Sequence, residues 1–170
     1  MSKSSIEETF REVIVRAASH AKSHGFKRQG QTLRKIWGGN AAIIEFQRSR
    51  DNTSTSLRFT INIAIVCGLL IDQGYTPIEK TKSYNGHLIQ RIGYVLPSKY
   101  DTWWEIDEMT RKDNIVSEIL GVVLDYAVPF LEKHISNEAM IDLWSSGTSP
   151  GITDFQRQNL LDELIHKMRS

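Results

Sequence analysis

Cysteine is almost missing from this chain. The single Cys67 excludes an internal disulfide and any zinc cluster built from cysteine alone. Net charge is almost missing too. Lys and Arg number 21 against 20 Asp and Glu, leaving +1, so no overall polyelectrolyte attraction acts on the protein. No apolar run approaches the roughly 20 residues that a membrane helix needs. The start, MSKSSIEETF, is polar and acidic, unlike a signal peptide. There is no Walker loop, no dinucleotide fingerprint and no serine-hydrolase elbow, and no internal repeat or low-complexity tract. These gaps predict a reducing, cytoplasmic setting with no membrane partner, and they give no ground for a cofactor.

What is present is ordinary in amount and uneven in placement. Apolar residues make up 40% and charged residues 24% of 170 positions, which predicts one soluble globular domain over 1–170. Residues 1–50 carry ten Lys or Arg against four acids, and the remainder carries eleven against sixteen.

The clearest pattern lies between Ala41 and Val66. Leu57, Phe59, Ile61, Ile63 and Ile65 alternate with Arg58, Thr60, Asn62 and Ala64. Period two in β-branched and aromatic residues predicts a strand with one buried face. Upstream, Ala42, Ile44 and Phe46 alternate with Ile43, Glu45 and Gln47, and the RDNTST stretch at 50–55 supplies turn formers. The two arms, 41–49 and 56–66, predict a long antiparallel hairpin. A slip of one residue would expose the whole apolar row, so the register should be firm.

Around this hairpin the chain reads as follows. Ser4 or Ser5 caps a first helix carrying Ile6, Phe10, Val13, Ile14, Ala17 and Ala21 at helical spacing, and Gly25 stops it. TLRKIW (32–37) is a strand, turned by Gly38, Gly39 and Asn40 into the hairpin. Residues 67–86, which include Gly74, Tyr75 and Pro77, show no periodicity; connections of such length are commonly functional, mobile or locally folded. HLIQRIGYV (87–95) and TWWEI (102–106) are further strands, with Leu88, Ile92, Tyr94, Trp104 and Ile106 facing the core. A helix at about 113–133 is apolar nearly all round, and Pro129 should kink or end it. A short helix follows from Ser136 to Trp144. An extra amphipathic helix at about 153–168 carries Phe155, Leu160, Leu161, Leu164 and Met168. The fold class is therefore α+β: an antiparallel sheet of about five strands, with an N-terminal helix and C-terminal helices packed on it.

GFKRQGQTLRK (25–35), IIEFQRS (43–49), RFTINIAI (58–65), RIGYVLPSKYDTWWEI (91–106) and YAVPFLEKHIS (126–136) together resemble the domain of unknown function of family 4304. The resemblance covers about residues 6–145 and leaves out the last helix. It implies an α+β domain with an antiparallel sheet, and no activity.

Several constellations invite chemistry. His20 and His24 stand four apart on a helix, a spacing that can hold zinc, but no third ligand accompanies them and no metal site is expected. Cys67 lacks a base and reads as a small buried hydrophobe. Glu105, Asp107 and Glu108 cluster where acids are usually just solvated. The basic run Lys22, Lys27, Arg28, Arg34 and Lys35, with Phe26 and Trp37 for stacking, could bind nucleic acid, or could simply charge an edge strand against aggregation.

Parity singles out one more set. Gln47, Arg58, Asn62, Arg91, Trp103 and Glu105 should share the sheet face opposite the aliphatic core, along with His87. Arg and Trp are favoured anchors of recognition surfaces. The same residues could instead form a buried network under the C-terminal helices. The leading expectation is a non-catalytic module that binds a protein or small ligand through this face. The alternatives are nucleic-acid binding through 22–35 and an enzyme without a recognisable motif.

Overall fold

The computed structural model describes residues 3–72, 76–148 and 151–170. Gly74 and Tyr75 lie outside the described residues. Helix α1 spans Lys3–Ala21, so it starts ahead of the expected capping serines. A single 3-10 turn, Lys22–His24, follows. Gly25 then takes a left-handed φ of 90° and donates its N–H to the Lys22 carbonyl, the conformation glycine adopts without a Cβ penalty.

The hairpin forms with the expected pairing. Strand β3, Asn40–Arg48, runs antiparallel to β4, Ser56–Val66, in the register Ala41↔Val66 to Arg48↔Phe59. Phe46, Phe59, Ile61 and Ile63 are all buried. Strand β2, Thr32–Trp37, pairs with β3 through the Gly38–Gly39 turn, where both glycines have positive φ.

Six strands form the sheet rather than five. The extra one, β1 (Lys27–Gln29), pairs with β2 through Gly30 and Gln31, and all three of its residues are exposed. A short strand with no buried side chain leaves no alternation to read. At the other side, β5 (Leu88–Arg91) and β6 (Trp104–Asp107) share one edge of β4. β6 pairs with Ser56–Phe59 and β5 with Asn62–Ile65.

The strand expected over 87–95 stops at Arg91. Residues Ile92–Tyr94 make a 3-10 turn, because Gly93 presses its backbone against the carbonyl of Tyr100, where a Cβ would lie only 2.0 Å from that oxygen. Tyr94 is consequently exposed rather than in the core, while Ile92 is fully buried. Trp104 and Ile106 face the core as parity requires, and the Trp104 Nε1–H donates to Glu118 Oε1 at 2.9 Å.

Helices α1, α2 (Lys112–Val122) and α3 (Val128–His134) cover the aliphatic face. Between α2 and α3 lies a π-helical turn, Val123–Ala127. Pro129 therefore does not end the helix. It stands in the first turn of α3, just after the π turn has shifted the hydrogen-bond ladder, where a missing N–H is tolerated. The continuous run Lys112–His134 is 23 residues long and apolar enough to cross a membrane by length and composition. That corrects the expectation drawn from apolar runs alone. Here its Ile115, Val116, Ile119, Val122, Val123, Val128 and Leu131 are packed into the core.

Ser136 caps α4 (Asn137–Ser145) by accepting the Ala139 N–H, and Thr153 caps α5 (Asp154–Met168) with Gln156. Leu161 and Leu164 anchor α5, but Phe155 and Met168 are exposed instead of joining its apolar stripe.

The 67–86 connection is locally folded. Its described residues form 3-10 turns at Gly68–Leu70, Ile78–Lys80 and Ser83–Asn85. Ile71 and Ile78 from this segment, with Ile89, cover a second small cluster of Ala41, Ile43, Ala64 and Val66. The connection thus caps one half of the sheet's second face and leaves the other half, where Gln47, Arg58 and Glu105 are exposed, only partly covered.

Candidate binding face

The partly covered half is built by cross-strand pairing. Glu45 lies opposite Asn62, which lies opposite Arg91. Gln47 faces Thr60, and Arg58 faces Glu105. All six residues singled out by parity therefore occur on one surface. Gln47, Arg58 and Glu105 are exposed, whereas Asn62, Arg91 and Trp103 are half-buried. No C-terminal helix lies over them among the described residues, so they do not form a network sealed beneath helices.

Trp103 is the centre. β5 and β6 leave Thr60 and Ile61 of β4 unpaired on that edge, and Thr60 Oγ1 fills the gap by donating to the Thr102 carbonyl at 2.7 Å. Trp103 follows directly. The Arg58 guanidinium lies 5.6 Å from its ring centroid and that of Arg91 5.2 Å, both within cation–π range. Asp101 accepts the Trp103 indole N–H at 3.1 Å and lies 3.5 Å from Arg91 Nη1. Asp101 was not foreseen; nothing in the periodicity marks it.

The remaining polar groups are tied sideways. Asn62 donates to Gln47 Oε1 at 2.6 Å. Glu105 accepts the Ser56 hydroxyl. Glu45 accepts the hydroxyls of Thr32 and Ser83. Arg58 has no carboxylate partner among the described residues. Beside Gln47 opens a cleft of about 630 Å³, walled by Gln29, Gln31, Glu45, Lys80 and Lys82. The two lysines come from the aperiodic connection and also carried no sequence signal.

His87 shares the parity of Arg91 but sits at the capped end. Its Nδ1 accepts the Cys67 backbone N–H at 3.0 Å. Burial holds its pKa below the ordinary imidazole value, with Glu163 and a hydrogen bond to the Leu70 backbone acting in the opposite sense. Cys67 itself is fully buried, and burial pushes its thiol up to about 12.

The basic segment is largely occupied. Arg34 is buried, donating to the Thr81 carbonyl and to Gln29 Oε1. Burial pulls its pKa down, while Glu45 and Glu79 raise it. Lys35 lies 3.9 Å from Glu132. Phe26 is a core residue and cannot stack on a base, whereas Trp37 is about half exposed. Lys22, Lys27 and Arg28 remain in solvent. His24 pairs with Glu132 at 2.8 Å and His20 Nδ1 bonds the Arg16 carbonyl. Among the described residues no group of three or more His, Cys, Asp or Glu is arranged to hold a metal. Asp107 takes the Met109 N–H and the Thr110 hydroxyl as a turn cap.

Fold and face define an α+β protein with helices on one side of an antiparallel sheet and a half-open polar surface on the other. Residues 17–133 match the Domain of unknown function (DUF4304), and the chain belongs to that family. The match begins within α1 and ends in α3, so α4 and α5 lie beyond it. No curated protein and no solved structure matches the chain.

Proposed function

We propose that this protein is a non-catalytic, cytoplasmic binding module whose open sheet face, centred on Trp103, engages a protein or small ligand. The observation that carries this reading is the pair of guanidiniums over one half-buried indole on a surface that no helix covers. Arginine cannot lose its charge in a protein. An arginine serving the fold has its donors taken up by the protein, as those of Arg34 are by the Thr81 carbonyl and Gln29. Arg58 is matched only to the ring, which leaves its donors for something outside the molecule.

The buried titratable groups with displaced protonation are absorbed into packing, which gives catalysis little to work with. Nucleic-acid binding through 22–35 has only the solvated Lys22, Lys27 and Arg28 to draw on. The test uses Arg58→Ala and Arg91→Ala, with capture of partners from the native host. Arg58→Ala should abolish capture while costing no more than about 1 kcal/mol, the range of an exposed cation–π contact. Arg91 is more enclosed and also faces Asp101, so its loss should cost somewhat more. Large destabilisation by Arg58→Ala, with the remaining folded protein still capturing its partner, would remove the reason for placing function on this face.

A further inference from the structure

The cleft beside Gln47 has an asymmetry in its hydrogen-bonding groups. The side-chain acceptors of Gln29, Gln47 and Glu45 each already hold a donor. The Gln29 amide oxygen is taken by Arg34 Nη1 at 3.2 Å, and the Gln47 amide oxygen by Asn62 Nδ2 at 2.6 Å. Both oxygens of Glu45 accept hydroxyl protons from Thr32 and Ser83. Several of its donors are not used. Fixing each amide oxygen inward turns the corresponding NH2 group outward. Lys80 and Lys82 are exposed on the wall with no ion pair among the described residues. Arg48, the other cation of the cleft, is already paired with both carboxylate oxygens of Glu7, at 3.0 and 2.6 Å.

A cavity with spare donors and committed acceptors selects a ligand that brings acceptors and negative charge. The geometry points to a carboxylate-bearing polypeptide: an acidic side chain enters the cleft between Gln47 and the two lysines. The same chain continues past the paired side chains of Asn62 and Gln47 towards Arg58 and Trp103. This rests on the reading of the sheet face as a binding surface and names the class of its partner. A polypeptide fits better than a polyphosphate chain. Glu45, Asp101 and Glu105 are interspersed with the cations; they oppose a polyphosphate, which carries its charge on every unit of its backbone, more than a peptide whose carboxylates stand on separate, adjustable side chains.

The test measures fluorescence anisotropy of labelled hexaglutamate on the full chain, beside hexalysine, oligothymidylate and inorganic phosphate as competitors. Hexaglutamate should bind and be displaced weakly by phosphate. The double variant Lys80→Glu, Lys82→Glu should weaken binding by at least about tenfold, since like charges oppose each other across an interface. Gln47→Glu should also weaken it, because it replaces a donor with an acceptor. These positions are exposed, so thermal midpoints should hold, and a variant that unfolds is replaced by Lys80→Ala, Lys82→Ala. The proposal is overturned if wild-type protein fails to bind hexaglutamate, if charge reversal leaves binding unchanged, or if oligothymidylate or phosphate binds in preference. In each case Arg58→Ala can still abolish capture of the native partner, and the face reading stands. If hexaglutamate binding depends on Lys80 and Lys82 but neither it nor partner capture responds to Arg58→Ala, the cleft is a site and the Trp103 face is not.

Discussion

Phe59→Ala is the sharpest probe of the packing that holds the face in place. Phe59 is fully buried on β4, the strand that pairs with β3, β5 and β6. Its ring centroid lies 5.1 Å from Phe10 of α1, 6.3 Å from Phe46 of β3 and 5.7 Å from Trp104 of β6. Truncating a buried Phe costs about 3–5 kcal/mol, the sum of lost transfer energy and an unfilled cavity. The upper half of that range applies here. Three rings from three separate elements line the vacated space, and a strand bonded to three neighbours cannot move in to fill it. For a chain of this size the loss corresponds to a fall of roughly 10–15 °C in thermal midpoint. Urea unfolding followed by circular dichroism should show the midpoint reduced with an unchanged slope. If the variant does not fold, Phe59→Leu gives the smaller change on the same scale. A Phe10→Ala partner closes a double-mutant cycle, and the two losses should be non-additive because the rings touch. A cost for Phe59→Ala below about 1.5 kcal/mol, outside the expected range for a buried aromatic, would refute the packing and the register on which it depends.

Two further outcomes follow from buried groups. Burial lowers the His87 pKa, so the fold favours neutral imidazole: that stability is fully present above the unfolded value and is lost as pH falls below about 6.5. His134 is lowered by burial in the same sense. An NMR titration midpoint for His87 at or above about 6.5 would contradict this. Cys67, with its thiol pushed up to about 12 and no exposed surface, should resist Ellman's reagent in native protein and react only once urea unfolds the chain; prompt native labelling would show the Cys67 end of β4 to be open.

How far the sequence could be read depended on whether a residue's surroundings lay near it in the chain. In 57–65 every second residue meets the helices, so the alternation survives in composition and gives the register of β3 and β4. The same parity put Arg58, Asn62, Arg91 and Glu105 on one surface. Trp103 and Trp104 point to opposite faces for the same reason. The half-covered state of that surface also had a trace. Ala41, Ile43, Ala64 and Val66 fall on the polar parity, all at one end of the hairpin, and this is the end that Ile71 and Ile78 cap. The length of β5 was not legible, because Gly93 turns the chain to meet a carbonyl seven residues on. Nor was β1, which buries nothing. Lys80 and Lys82 meet Gln47 only through the folding of an aperiodic segment, and Asp101 meets Arg91 only through the turn after β5.

The division of the open face into held and free groups bears on how it would bind. Asn62 holds Gln47, and Asp101 holds Trp103 and lies against Arg91. Ser56 holds Glu105. These side chains have already lost much of their rotamer freedom on folding, so a partner meets a surface whose ordering cost was met within the monomer. Arg58, Lys80 and Lys82 are the exceptions. They are exposed cations without carboxylate partners among the described residues, placed on either side of the held centre. Held polar groups fix where an incoming chain must lie, since their unsatisfied donors have set directions. Free cations at the margins draw an acidic chain in over a longer range and can adjust to it. On this division, substitutions at the centre should slow or accelerate dissociation, while substitutions at Arg58, Lys80 and Lys82 should act first on association and on its salt dependence.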